Sequence, residues 1–89
     1  MNMGDARIVH DISLEQQGDH IIVLCNYHRP NGRLARKPLR AVLFYPDPLT
    51  REELDGLEAQ VPLPFPMWRA TQYVADELFS REYDRAHAR

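Results

Sequence analysis

The chain has 89 residues, 44% hydrophobic and 27% charged, with a formal net charge of −2. Those proportions exclude fibrous and disordered classes, and the length excludes two independent cores, since so short a chain buries only about 60–65% of its unfolded surface. The single cysteine, Cys25, excludes an intramolecular disulfide, and the longest apolar runs, Ile21–Cys25 and Ala41–Tyr45, fall far short of the roughly 18 residues of a membrane span.

Met1–Arg7 lacks the uninterrupted apolar stretch of a signal peptide, and Ala88-Arg89 is no lipidation box. A reducing, cytoplasmic setting without membrane attachment is the expectation. From residue 6 to 14, Ile8, His10, Ile12 and Leu14 alternate with Val9, Asp11 and Ser13, which predicts a first strand. Gly18 suits the left-handed position of a type I turn with a bulge, which would set Glu15 opposite Asp19. Residues 20–28, with β-branched Ile21, Ile22 and Val23, predict a second strand. A longer break at Pro30-Asn31-Gly32 precedes a third strand over 39–45, closed by Pro46-Asp47-Pro48.

Thr50-Arg51-Glu52-Glu53 is a capping box and predicts a helix over 50–61, with Leu54, Leu57 and Val61 on one side. Pro62 stops it, and alternate prolines through Pro66 predict an extended tether without ladder bonding. A second helix is expected over 66–85, with Met67, Trp68, Thr71, Val74, Ala75, Leu78 and Phe79 within one broad arc and its end protruding beyond Glu82. Arg81, Arg85 and Arg89 then make a basic ridge beside the negative end of the helix dipole. The order βββαα predicts one small α+β domain, an antiparallel meander with two helices packed on it.

That turn register makes the sheet apolar on both faces. Ile8, Ile12, Leu14, Ile22 and Leu24 fall on one side, and Val9, Ile21, Val23, Cys25 and Tyr27 on the other. The third strand repeats the pattern, with Leu39, Ala41, Leu43 and Tyr45 against Val42 and Phe44. A sheet with one wet face should show polar residues there. Either the helices cover opposite faces, or the tether folds across the second face, or that face meets a partner or a second copy. Val9, Val23, Tyr27, Val42 and Phe44 are therefore candidate interface residues. Trp68 joins them if it is exposed rather than a core anchor, because Trp and Arg dominate interface energetics.

Charge is the most uneven feature. Arg29, Arg33, Arg36, Lys37 and Arg40 are five of the chain's 11 basic side chains, and no acid lies between Asp19 and Asp47. On a hairpin between the second and third strands they would form a cationic finger. Such a finger can hold carboxylates through Arg forks, or phosphates with salt-dependent affinity. The bland alternative is a solvated loop that keeps sheet edges apart. The acids Glu52, Glu53, Asp55 and Glu58 on the first helix suit its N-terminal dipole.

Catalytic and metal chemistry find no support. His20 and His28 share a strand face but stand about 26 Å apart at ~3.3 Å per residue, and Cys25 points to the other side. Ser80, Asp84 and His87 match helical spacing, yet they fall on a polar helix end with no pocket for an oxyanion. Cys25 lies in an apolar run, where a thiol is held protonated and inert. Neither a phosphate loop nor a dinucleotide fingerprint is present. Pro62-Leu63-Pro64-Phe65-Pro66 reads as an internal linker rather than a polyproline ligand. The expected function is a non-catalytic regulator, inhibitor or accessory subunit, without metal or cofactor, that docks on a larger protein. A nucleic-acid-binding module using the same loop is the alternative.

Overall fold

A computed structural model describes residues 7–29 and 31–87, the side chain of residue 87 excepted. The expected start of the first strand at residue 6, Pro30 of the loop, Arg89 of the basic ridge and the His87 side chain lie outside these residues. Strands β1 (Ile8–Gln17), β2 (His20–Tyr27) and β3 (Leu39–Phe44) are followed by helix α1 (Arg51–Gln60), a short strand β4 (Phe65–Pro66) and helix α2 (Met67–His87). The class is α+β, with a four-stranded antiparallel sheet in the order β3-β2-β1-β4.

The fourth strand corrects the reading of the Pro-rich tether. Ile8 pairs with Pro66 and Val9 with Phe65, and the Met67 N–H donates to the Arg7 carbonyl at 2.8 Å. Proline is barred from a strand only where both sides must be hydrogen-bonded, and β4 is an edge with one neighbour.

The first turn is tighter than its sequence suggests. Gln17, not Glu15, closes it opposite His20, and Gly18 takes φ +59° as the first of two central residues, the type II′ pattern. The bulge lies instead at the far end of the hairpin, where the register shifts between Val9 and Asp11. Its extra residue, His10, moves Val9 onto the same side as Ile12.

Those two adjustments sort the sheet into a dry and a mostly wet face. Val9, Ile12, Leu14, Ile21, Val23 and Cys25 all lie buried on the inner side, with Leu39, Ala41 and Leu43 of β3 packed beside them. Both helices cover that one side, adding Leu54, Leu57, Val61, Met67, Val74 and Leu78. The opposite face carries Asp11, Ser13 and Glu15 on β1 and Asn26 on β2. The expectation of two apolar faces is thereby corrected: the outer face keeps a strip of Ile22, Leu24, Val42 and Phe44 along β2 and β3, and the exposed Ile8 at the start of β1. Each inward Val, Leu or Ile contributes about 1.5–3 kcal/mol, which is why a register hiding five of them on β1 and β2 prevails over one that splits them.

The Thr50 capping box forms in both directions: the Glu53 N–H donates to the Thr50 Oγ1 at 3.0 Å, and the Thr50 N–H to the Glu53 carboxylate at 2.9 Å. In α2 the buried stripe is narrower than the expected arc. It runs through Met67, Ala70, Val74 and Leu78, whereas Trp68 and Phe79, about 100° and 120° from Met67 on the wheel, are exposed. The end of α2 is tied down rather than free. Arg85 pairs with Asp47 and Glu82, and Arg81 approaches Glu53. No helix among the described residues is long and apolar enough to cross a membrane.

Candidate interaction surface

The β2–β3 excursion continues the ladder past its strands before it turns. His28 bridges Leu34, the Ala35 N–H donates to the Tyr27 carbonyl at 2.9 Å, and the Arg29 N–H to the Arg33 carbonyl at 2.8 Å. The turn itself closes through the Gly32 N–H on the Arg29 carbonyl. Gly32 takes φ +83°, a conformation that side chains rarely adopt, while the Asn31 side chain accepts the Arg33 N–H. The sequence Asn31-Gly32 thus specifies where the cations stand.

This geometry sets Arg29 directly across from Arg33. Arg36 and Lys37 follow in the bend leading to β3, and Arg40 lies within β3, on the outer face opposite Leu24. All five side chains are exposed. None of them forms an ion pair with another described residue. The other described cations are engaged within the chain. Arg51 pairs with Asp55 and Glu58, Arg81 with Glu53, and Arg85 with Asp47 and Glu82. Arg7 and Arg69 lie over the rings of Tyr27 and Phe65 at 5.0 and 4.9 Å. Like charges set opposite one another on a ladder destabilise it, so Arg29 and Arg33 hold their places against a small local penalty.

Sequence reasoning passed over Leu34, which is 58% exposed amid these cations. The available signal was its isolation: a large aliphatic residue between Arg33 and Ala35, with Arg36 beyond, has no amphipathic partner along the chain. Its bridge to His28 fixes the backbone while leaving the side chain outward. The His28 ring meets that of His10 edge-on at 4.5 Å.

The other candidate residues divide. Val9 and Val23 have no exposed surface and belong to the core, and Tyr27 is half-buried under Arg7. Val42 and Phe44 are exposed by 47% and 67% on β3, and Trp68 by 42% near β4. Phe44 also borders an open apolar groove of about 400 Å³ lined by Leu43, Tyr45, Ala75, Leu78 and Phe79. Burial raises the Tyr45 phenol above its ordinary pKa there, with the Glu82 carboxylate adding to the shift. Cys25 is fully buried, and no group of three His, Cys, Asp or Glu side chains among the described residues is placed to hold a metal ion. No protein family, curated protein or solved structure matches this chain at a significant level.

Proposed function

We propose that the chain is a non-catalytic interaction protein that docks its β2–β3 hairpin onto an acidic surface of a larger protein. One observation carries this reading: five exposed cations between positions 29 and 40, none ion-paired with a described residue, share this arm of the sheet with the exposed Leu34, while every other described Arg is engaged within the chain. Guanidinium forks on carboxylates would supply orientation and on-rate, and Leu34 would supply the apolar contact. An exposed aliphatic side chain flanked along the chain by charge suits a protein interface, whose core is apolar and rim polar. Nucleic acid asks instead for aromatic stacking platforms, which the hairpin tip lacks.

Charge reversal tests the proposal. The triple variant Arg33→Glu, Arg36→Glu, Lys37→Glu and, separately, Leu34→Ser are compared with the wild-type chain as baits in affinity purification. Each candidate is then re-bound as a purified protein. A single acidic partner that both variants lose supports the reading. A partner indifferent to both variants overturns it. So does saturable binding of DNA or RNA at low salt with a steep salt slope that the triple variant flattens, which assigns the hairpin to phosphates.

A further inference from the structure

We infer that the exposed edge of β3 pairs with the same edge of a second copy, joining two sheets about a two-fold axis at Val42. The Tyr45 N–H donates to the Asp19 carbonyl, so the odd residues of β3 exchange hydrogen bonds with β2 in the observed register. The backbone groups of Arg40, Val42 and Phe44 accordingly point away from β2. No described residue accepts or donates to them on that side, and β3 is the terminal strand of the sheet.

Three properties of this short edge specify its occupant as the chain itself. A strand meets its own copy side by side across a two-fold axis only in an antiparallel register, and hydrogen-bonded pairs must match outward residues with outward residues. Centring on Val42 satisfies both and pairs all three outward residues: Val42 faces Val42 of the second copy, and Arg40 faces Phe44 in both directions. Centring on Ala41 or Leu43 sets Phe44 against Pro38 or Arg40 against Pro46, prolines that have no N–H to give. Centring on Arg40 would oppose two guanidinium groups.

Pro38 and Pro46 bracket the edge, and Val42 is the midpoint between them. The usable segment is thus symmetric about the residue where the axis must pass. The facing chemistry also agrees, because β-branched Val meets Val and each Arg40 cation meets the exposed Phe44 ring. The axis stands normal to the sheet, which keeps both helical layers on one side and sends the two basic hairpins to opposite ends of the seam. At the far edge β4 and α1 take up backbone groups of β1, so pairing would stop at two copies.

Light scattering and sedimentation from micromolar to near-millimolar chain concentration test the inference, with amide exchange read at the edge. The expected result is a rise toward twice the chain mass, with slower exchange at Arg40, Val42 and Phe44 as concentration increases. Val42→Lys sets two cations face to face and should weaken association by roughly tenfold or more. Val42→Pro removes an outward N–H that β2 does not use and should leave a monomer. Because that proline can also disturb β3, the lysine variant is decisive provided its circular dichroism matches the wild type. A chain that stays monomeric at the highest concentration, or a dimer indifferent to Val42→Lys, overturns the inference. Failure here leaves the hairpin reading standing, since no residue at positions 33–37 takes part in the seam.

Discussion

Along the β1 side of the sheet the outward backbone groups at the start of the strand and at Leu14 find partners within the chain, whereas along the β3 side none does among the described residues. Beside β1, β4 pairs with Ile8 and Val9. Further on, the Leu14 N–H donates to the Glu58 carboxylate at 2.7 Å and its carbonyl accepts from the Arg51 guanidinium at 2.9 Å. Arg51 and Glu58 are themselves bonded at 2.8 Å, so one ion pair acts as a side-chain substitute for a neighbouring strand. β3 receives no such cover. Its protection is its shortness and its bracketing prolines, which limit pairing to three outward residues. One edge is partly covered by the chain itself and the other only restricted, and the two call for different experiments.

The largest expected effect comes from loosening the element that closes β1. Leu57 has no exposed surface and anchors α1 against the sheet, so Leu57→Ala should destabilise the fold by about 2–5 kcal/mol. Urea denaturation measures this, and amide exchange adds a second readout. If α1 closes the edge, Leu14 loses protection more than the β2–β3 ladder does. Equal loss everywhere would mean that α1 contributes bulk burial alone. A smaller, more local effect should follow Glu58→Ala, which strips the Leu14 N–H of its acceptor and should cost about 1–3 kcal/mol. Glu58→Gln keeps an accepting oxygen and should cost less. Equal penalties for the two would show that the ion pair with Arg51, rather than the backbone bond, is what matters.

These edges were unequally legible in the sequence. The three longer strands, the capping box and the inward Leu54, Leu57 and Val61 follow from periodicity and local hydrogen bonding, and the structure contains all of them. The turn did not follow, because Gly18 fits both a bulged and a two-residue loop, and one residue of difference exchanges the faces of a strand. That slip, with the bulge at His10 that has no sequence signal, produced the expectation of two apolar faces and assigned Val23 and Val9 to a surface when they are core. Gln16 looked like part of a polar break. Instead its side chain accepts from the Leu49 N–H at 2.7 Å and donates to the Asp47 carbonyl at 2.8 Å, fastening the β3–α1 connection. Contacts over 30 residues apart leave no mark in local pattern. The hairpin cations were legible as a run without acids, but their lack of ion-pair partners among the described residues, and the exposure of Leu34, depend on where the rest of the chain went.

The smallest expected effect is on pH dependence, and it concerns how firmly the β3–α1 connection and the α1 start are held. Hydrogen bonding by the Thr50 N–H holds the Glu53 carboxyl below its ordinary value of 4.5, and the Arg85 guanidinium holds Asp47 below 3.8. Both groups bind protons more weakly folded than unfolded. Their stabilisation is therefore complete above those ordinary values and is lost as pH falls through them toward the lower folded-state values. Thermal melts should be flat near neutrality and decline below about pH 5, more gently in high salt because both carboxylates are partly exposed. Glu53→Gln and Asp47→Asn should each flatten the acid limb, and the pair together should flatten it further. Thr50→Ala separates the two contributions. It removes the Oγ1 cap, costing about 1 kcal/mol, together with the smaller of the two Thr50 bonds that depress Glu53, yet leaves the larger one from the Thr50 N–H, so the curve should drop while keeping most of its acid slope. A Thr50→Ala curve that instead loses its acid slope would place the proton-linked stability in the hydroxyl, and would detach the α1 start from the carboxylate that holds it.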